Sequence, residues 1–206
     1  GRVLASGAMP LTAGGDHSIT YPIFRGIARH RPIGMIHIDA HTDTWGEWGG
    51  SRFHHGSPFR YAVEEGLLDP KRTIQIGIRG PFTAADDLAF AKSAGIRVVM
   101  IDEVKEERAQ VLRLIAEVSA RGPCYVSFDM DGVDPAYAPG TGTPVPGGLT
   151  SYEALQLLRA VTGQQVIGGD VVELSPDHDV SGITALLAVS VLGELLAALA
   201  EARSNT

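Results

Sequence analysis

The stretch that most constrains the fold of this chain is an apolar run, residues 124–128, that leads into two carboxylates, Asp129 and Asp131. Its β-branched and aromatic side chains predict a buried strand. Side chains two residues apart on an extended chain point the same way, so we expect the two aspartates to lie side by side at the strand end. Adjacent, parallel carboxylates repel each other strongly unless a cation lies between them. The stretch therefore predicts a metal site at the end of a strand.

Apolar runs of this kind recur along the chain and alternate with helical patterns. The predicted strands are 33–39, 73–78, 96–101, 124–128 and 166–174, and the predicted helices are about 21–30, 84–94, 103–121, 151–162 and 180–203. This alternation favours an α/β fold, with a mostly parallel sheet flanked by helices, as a single domain over residues 1–206. Ligands bind at the carboxyl ends of such strands. Polar clusters fall at or near those ends, at 14–18, 39–43, 129–134 and 173–179.

Charge and cysteine content narrow the class of protein. A net charge of −7 without a run of Lys or Arg argues against a nucleic-acid-binding surface. The single cysteine, Cys124, excludes an internal disulfide and suits a reducing compartment, so we expect a cytoplasmic protein. The longest apolar stretch, 183–200, is interrupted by Ser190 and Glu194. That favours a buried C-terminal helix over a membrane span.

Two imidazoles and four carboxylates fall in the polar clusters, namely His17, Asp39, His41, Asp43, Asp129 and Asp131. The three at 39–43 are spaced two apart and share one side of an extended segment. Six such ligands are too many for one tetrahedral zinc and about right for a pair of ions with bridging carboxylates. Oxygen-rich ligands with few imidazoles suit manganese, with iron, cobalt or zinc as competitors. Two ions roughly 3.5–4 Å apart can share a water and lower its pKa toward about 7, which predicts a hydrolase.

Longer motifs surround these residues: Gly-Gly-Asp-His-Ser at 14–18, Asp-Ala-His-Thr-Asp at 39–43 and Ser-Phe-Asp-Met-Asp-Gly-Val-Asp-Pro at 127–135. With Ala-Pro-Gly-Thr-Gly-Thr-Pro at 138–144 and Glu-Leu-Ser-Pro at 173–176, they resemble, in order, the motifs of the ureohydrolases, which are the arginases, agmatinases and related guanidino hydrolases. The resemblance implies a three-layer arginase-like fold. Members of that family carry a substantial portion before the first motif. We therefore interpret the chain as N-terminally truncated and expect it to fold poorly alone.

By this resemblance the chain would bind two manganese ions. One would be held by His17, Asp39, Asp43 and Asp129, and the other by Asp39, His41, Asp129 and Asp131. Asp39 and Asp129 would bridge the ions, and the shared hydroxide would attack the guanidinium carbon to give urea and an amine. Glu173 matches the acid that holds the guanidinium, and a carboxylate suits the planar N–H donors of that group.

His55 matches the family's histidine before glycine, which passes a proton to the leaving amine, and His54 is the alternative. We expect His37 to pack behind the site rather than to bind a metal. Ser18 or Thr20 is expected to cap the helix that starts near residue 21.

The loop at 44–53 lacks the Asn- and Ser/Thr-rich pattern of arginases and resembles the agmatinase branch. Trp45 and Trp48 would either wall a tunnel for a methylene chain or pack the loop. Glu47 would favour agmatine, whose hydrolysis gives putrescine, whereas Arg52 would favour a guanidino acid such as 4-guanidinobutyrate. Agmatine is the first expectation and a guanidino acid the alternative.

A metal-dependent deacetylase or amidase, which uses one zinc, is a more distant alternative. By family resemblance we expect a homo-oligomer, a trimer or a hexamer, that acts on a small guanidino substrate. From the charge and the interrupted apolar stretch we expect no binding to nucleic acid or membrane.

Overall fold

A computed structural model describes residues 2–28, 30–80, 88–161 and 165–204. Within these residues one sheet contains six strands: β1 (Leu11–Ala13), β2 (Ile33–Ile38), β3 (Leu68–Ile78), β4 (Arg97–Met100), β5 (Cys124–Asp129) and β6 (Val166–Val172). The order across the sheet is β1-β6-β5-β2-β3-β4, and all neighbouring strands are parallel. The predicted α/β fold with a parallel sheet is confirmed.

Helices make the long connections that parallel strands require. The helices of the described residues are α1 (Arg2–Ala5), α2 (Thr20–Ile27), α3 (Pro58–Glu64), α4 (Ala89–Ala94), α5 (Ile101–Glu106), α6 (Arg108–Ala120), α7 (Ser151–Arg159) and α8 (Ile183–Ser204). Short 3₁₀ helices at His17–Ile19, Met130–Gly132 and Pro176–His178 follow β1, β5 and β6.

The side chains of β2 alternate between two apolar cores. Ile36 and Ile38 pack in one core with residues of α5, α6, α7 and α8. Ile33 and Met35 pack in the other core with residues of α2 and α3. The sheet is therefore the middle of three layers, as the resemblance implied. Burial on both faces explains why this strand reads as a continuous apolar run.

The four polar clusters predicted from the sequence follow four strands that are neighbours in the sheet. β1, β6, β5 and β2 lie side by side, and the segments 14–18, 173–179, 129–134 and 39–43 follow their carboxyl ends. Because parallel strands present their carboxyl ends at one edge of a sheet, the fold gathers all four segments in one place.

Two elements begin earlier or elsewhere than the sequence predicts. β3 starts at Leu68 rather than at 73. Leu68 is buried, but residues 69–72 include an aspartate, a lysine and an arginine and are partly buried or exposed, so they do not resemble an apolar run. α3 (Pro58–Glu64) lies between the predicted strands 33–39 and 73–78, where no helix is predicted. Pro58 stands in the first turn of α3, where a missing N–H costs nothing, and Phe59 is buried behind it.

The predicted helix 103–121 is two helices, α5 and α6, which meet at Glu107, where φ is −122° and ψ is 33°. The predicted helix 84–94 is described only from residue 88 onward, and its earlier residues lie outside the described part of the chain. The boundaries of α2, α7 and α8 lie within three residues of the predicted ones.

α8 is long and apolar enough to cross a membrane by length and composition alone. Leu187, Val191 and Leu195 are buried in the core beside β6. Leu186 and Leu196, on other sides of the helix, are 69% and 58% exposed. The expected buried helix is thus buried on one face only, because it lies on the outside of the sheet. A single helix of this kind is a weak indication of a membrane span, since core helices pass the same test.

Candidate metal centre

His17 is positioned by the glycine turn that follows β1. The Gly14 N–H donates to the Val171 carbonyl at 2.8 Å, and the Glu173 N–H donates to the Gly15 carbonyl at 3.0 Å. These bonds join the turn to the end of β6. His17 begins the 3₁₀ helix that follows this turn, and it is fully buried.

Asp16 begins the 3₁₀ helix at His17–Ile19 by accepting the Ser18 N–H at 2.9 Å. The expectation that Ser18 or Thr20 caps the following helix is wrong. Ile19 is the N-cap residue of α2 and its side chain makes no capping hydrogen bond, while the Thr20 hydroxyl donates to Asp170 in the interior, at 2.8 Å. Thr20 is fully buried, so its hydroxyl is used for the tertiary contact rather than for a local one.

Four of the predicted ligands form one group around His17. Its Nδ1 lies 2.9 Å from Asp43 Oδ2, 3.0 Å from Asp129 Oδ2 and 3.3 Å from Asp39 Oδ2. The potential ligand atoms of all four residues lie within 4.8 Å of one another. Nδ1 is buried and makes no contact of hydrogen-bond geometry with any described residue. A buried imidazole nitrogen directed among three carboxylates suits a metal ligand.

Asp39, His41 and Asp131 form a second group, which shares Asp39 with the first. His41 Nδ1 lies 3.1 Å from Asp131 Oδ2. The resemblance also places Asp129 among the ligands of the second ion, but the structure groups Asp129 with His17, Asp39 and Asp43 rather than with His41 and Asp131. Asp39 is common to the two groups, and the bridging roles of Asp39 and Asp129 stay predictions.

Each strand-end aspartate uses one oxygen to shape its own turn. Asp39 Oδ1 accepts the His41 N–H at 2.6 Å, and Asp129 Oδ1 accepts the Asp131 N–H at 2.8 Å. In both residues Oδ2 is the atom nearest to His17 Nδ1. The spacing of two residues in these motifs therefore serves both the local turn and the convergence of the ligands.

The charges of this cluster favour a bound cation. Burial and the carboxylates of Asp131 and Asp39 raise the pKa of Asp129 well above its usual range. Burial and Asp39 raise the pKa of Asp131 to about 7. Burial would lower the pKa of His17, but Asp129, Asp39 and Asp43 outweigh it and hold that pKa well above 6.5. The cluster therefore favours added positive charge, which divalent ions would supply.

His37 packs behind Asp39, as expected, and Gln75 determines its tautomer. Gln75 Nε2 donates to the Thr42 carbonyl and also contacts His37 Nδ1 at 3.1 Å, so Nδ1 must accept. Nε2 then carries the proton and donates to Asp39 Oδ2 at 2.7 Å. His17, His37 and Asp39 are close enough to form another possible metal group. Both ring nitrogens of His37 are engaged in these hydrogen bonds, so neither is left to bind an ion.

A pocket opens over the carboxylates. Besides residues of the two groups, its lining contains Trp45, His55, Gly56, Thr143 and Glu173. The Thr143 hydroxyl donates to Asp131 Oδ2 at 2.9 Å. Glu173 Oε1 accepts the backbone N–H of His17 at 2.7 Å, and burial raises the pKa of Glu173. The pocket thus places one further carboxylate and one histidine beside the metal groups.

Comparison with known proteins identifies the family. A family model described as the Arginase family matches residues 1–198. The chain belongs to the arginase family. It is 51% identical to a guanidinopropionase from Pseudomonas aeruginosa over 207 residues, covering 100% of this chain and 65% of that protein. It is 48% identical to a mitochondrial agmatinase from Gallus gallus over 202 residues, covering 96% of this chain and 59% of that protein.

The solved structure of proclavaminate amidino hydrolase from Streptomyces clavuligerus has the same fold. Its TM-score is 0.88 with 48% sequence identity, and the match covers 93% of this chain and 64% of that one. The predicted arginase-like fold is therefore confirmed. This arginase-family chain spans 59–65% of the length of the three proteins named here.

The two candidate histidines of the arginase-family proton shuttle lie in different surroundings. His55 is exposed and lines the pocket. His54 is partly buried, and its Nε2 lies 2.9 Å from the Gly46 carbonyl in the preceding loop. His54 thus holds the loop together, whereas only His55 of the two lines the pocket among the described residues. Its role in proton transfer stays a prediction.

The loop at 44–53 separates its two tryptophans. Trp45 lines the pocket, while Trp48 is 67% exposed. Glu47 is exposed, and the Arg52 guanidinium lies over the Tyr61 ring, 4.3 Å from its centre. Neither Glu47 nor Arg52 lines the pocket in the described part of the chain. The prediction that Glu47 or Arg52 contacts the substrate tail is therefore not supported by the residues that line this pocket.

Gly132 allows the segment 129–134 to approach the segment 39–43 closely. We expect Gly132→Ala to displace the ligands in both segments. An added Cβ would lie 3.0 Å from Asp39 N and 3.1 Å from Asp39 Cα. The required shift of Asp39 should lower stability by about 1–3 kcal/mol and weaken manganese binding by about tenfold. Thermal unfolding and a manganese titration measure the two effects. Gly193→Ala, in the exposed face of α8 with nothing within 4 Å of the new Cβ, is the control and should be neutral or stabilising.

Four residues that contact the predicted ligands or their neighbours are not predicted from the sequence: Thr143, Ser127, Asp170 and Gln75. Thr143 stood in the motif at 138–144, but no role was assigned to it. Ser127 precedes Asp129 by two residues and so shares its side of β5. Asp170 is a lone carboxylate within an apolar strand, which is itself an unusual position. The sequence gives no signal for Gln75, because its role depends on the pairing of β2 with β3.

Proposed function

We propose that this chain carries the catalytic centre of a hydrolase that cleaves the guanidinium group of a linear guanidino compound to urea and an amine. One observation carries the proposal. Two ligand groups that have Asp39 in common lie at one pocket, and Glu173 lines the same pocket. A guanidinium ion is planar and cationic, so a carboxylate beside a metal centre can both hold it and orient it.

Two divalent ions would be held by His17, Asp39, Asp43, Asp129, His41 and Asp131, with manganese first because the ligand set is rich in oxygen. Such a pair supplies a water that is nucleophilic near neutral pH. The overall reaction adds the water oxygen to the guanidinium carbon and breaks the bond from that carbon to the substituted nitrogen. That nitrogen must gain a proton to leave as an amine.

Glu173 is suited to bind the guanidinium. Because Oε1 accepts the His17 N–H, the carboxylate orientation is linked to the backbone of a metal ligand. Oε2 is left to accept substrate N–H groups, and it lies near the open side of Gly142, where a Cβ would come within 3.9 Å of it. The carboxylate would therefore hold the guanidinium carbon at a defined distance from the metal groups.

His55 is the group proposed to give the leaving nitrogen its proton. We expect His55→Asn to lower kcat about 10²–10³-fold while manganese content stays at the parent level, because general acids typically contribute that much. His54→Asn is the matched variant and should lower kcat by less than about tenfold, since His54 contacts the Gly46 carbonyl rather than the pocket. Initial rates of urea release measure both. A larger loss in the His54 variant would assign the proton transfer to His54.

The substrate tail is proposed from the relatives. The Pseudomonas aeruginosa relative is named a guanidinopropionase, and the Gallus gallus relative is named an agmatinase. Neither Glu47 nor Arg52 lines the pocket in the described part of the chain, so the order of candidates follows the identities of these relatives. We place a short guanidino acid first and agmatine second. Trp45 supplies an apolar wall that suits the methylene chain of either.

The test is urea release by the manganese-loaded protein with 3-guanidinopropionate, 4-guanidinobutyrate, agmatine and L-arginine offered separately. We expect the largest kcat/KM for one of the two guanidino acids. The largest value for agmatine would support the second candidate. Absence of urea from all four while two manganese ions are bound would contradict the proposed reaction.

A further inference from the structure

A buried carboxylate that the proposed reaction does not use lies behind His17. Asp170 is in the middle of β6 and has no solvent exposure. Three hydroxyl groups donate to it: Ser127 Oγ to Oδ1 at 2.7 Å, Thr20 Oγ1 to Oδ2 at 2.8 Å, and Tyr125 Oη to Oδ2 at 2.9 Å. All three hydroxyls belong to buried residues. A carboxylate in such a site requires a reason, because burial of a charged group is costly.

The hydroxyl of Ser127 connects this carboxylate to the metal groups. Ser127 Oγ lies 2.8 Å from His17 Nε2 on one side and 2.7 Å from Asp170 Oδ1 on the other. An ionised carboxylate only accepts hydrogen bonds, and serine has a single proton to donate. Ser127 therefore donates to Asp170, and its lone pair is left to accept the Nε2–H of His17.

The direction of these two bonds has a consequence for the other nitrogen of the ring. A neutral imidazole that carries its proton on Nε2 has its lone pair on Nδ1. Nδ1 is the atom that lies among the oxygens of Asp39, Asp43 and Asp129. The opposite tautomer would direct an N–H at the metal position and could not bind an ion.

We infer that Asp170 is a positioning residue that acts through Ser127 to fix the metal-binding tautomer of His17. The inference rests on the proposed metal centre. The three residues stand on elements whose relation is fixed by the sheet, since Ser127 and Asp170 are register partners in the β5–β6 pair. Thr20 and Tyr125 hold the second oxygen of Asp170, so the carboxylate cannot turn away from Ser127 without losing two hydrogen bonds.

The first test is a manganese titration of the metal-free protein. The electron paramagnetic resonance signal of free Mn²⁺ measures binding at each step. We expect Ser127→Ala to weaken binding by about 10–100-fold, the usual range for a group that orients a ligand. Tyr125→Phe is the matched control: it also removes one hydroxyl from Asp170 but leaves the bonds of Ser127 intact, and it should change affinity by less than about threefold. Equal losses in the two variants would overturn the inference.

A double-mutant comparison tests whether Asp170 acts through Ser127. Asp170→Asn alone should weaken manganese binding, because its amide N–H₂ can donate to Ser127 and turn the serine proton toward His17. In the Ser127→Ala background the same change should add less than about threefold, since the connection is already absent. Losses that simply multiply would show that Asp170 acts independently of Ser127 and would contradict the inference. Far-ultraviolet circular dichroism of each variant confirms that affinity is compared among folded proteins.

A second measurement needs no variant. In the zinc-loaded protein, long-range ¹H–¹⁵N correlation of labelled histidines should show His17 protonated at Nε2 and not at Nδ1. A proton on Nδ1 would overturn the inference. If the parent protein bound neither manganese nor zinc, the proposed metal centre itself would fail, which is a result distinct from failure of the Asp170 connection.

Discussion

Asp39→Asn is expected to remove both metal ions and to reduce urea release to less than about one thousandth of the parent rate. Asp39 is the residue common to the two ligand groups, and its Oδ2 lies 3.3 Å from His17 Nδ1. Loss of a group that merely orients a ligand costs about 10–100-fold, so loss of a shared ligand should cost more. Metal content and urea release, measured on the same preparation, test the prediction.

The asparagine keeps the shape of the side chain and can still accept the His41 N–H through its amide oxygen. The effect should therefore come from the lost charge rather than from the turn. Glu117→Gln is the control for removal of an acid, because Glu117 is exposed on α6 and paired only with Arg121 among the described residues. An Asp39→Asn protein that kept two ions and normal activity would show that Asp39 is not the shared ligand.

Glu173→Gln is expected to lower kcat/KM by about 10²-fold or more while the manganese content stays at the parent level. The amide oxygen can still accept the His17 N–H, which Glu173 Oε1 accepts at 2.7 Å. The amide nitrogen would then face the guanidinium and present N–H donors to N–H donors. A hydrogen bond to a charged group contributes about 1.5–3 kcal/mol, and loss of two such bonds accounts for the expected change.

Glu47→Gln is the matched control for Glu173→Gln. Glu47 belongs to the loop that contributes Trp45 to the pocket, but it is itself exposed. Its substitution should change kcat/KM by less than about threefold for a guanidino acid. If instead Glu173→Gln lost manganese, Glu173 would act mainly through the backbone of His17 and not on the substrate. A large effect of Glu47→Gln confined to agmatine would restore Glu47 as a contact for the ammonium tail.

The motif residues could be located from sequence because strand-end geometry is local. The spacing of Asp39, His41 and Asp43 and of Asp129 and Asp131 predicts side chains on one side of an extended segment, and the structure brings these residues together. His17 could be added because an imidazole suits a metal ligand and because 14–18 resembles a ureohydrolase motif. The strand before it, β1, is not predicted from the sequence. The predictions within 39–43 and within 129–131 needed no knowledge of how distant parts of the chain pack.

The groups that orient the ligands could not be assigned in this way. Ser127 meets Asp170 only because β5 and β6 pair in a particular register, and Gln75 meets His37 only through the register of β2 and β3. A sequence read strand by strand does not contain the register. The lone carboxylate in β6 was visible, but its partners were not.

The loop residues show the same division. His55 and Trp45 line the pocket, while His54 and Trp48, with the same side chains, do not. Their separation depends on how the loop folds against the Gly46 carbonyl and on the start of α3 at Pro58. The resemblance to the ureohydrolases favoured His55 through its neighbouring glycine, but spacing and composition alone left the two histidines equal.

The proposed dinuclear site is tested by urea release measured as a function of manganese bound per chain, with a saturating guanidino substrate. We predict that activity rises until two ions are bound per chain and then stays constant, because the two ligand groups are distinct and share Asp39. Activity that is complete with one ion per chain, or no urea with two ions bound, would contradict the dinuclear hydrolase.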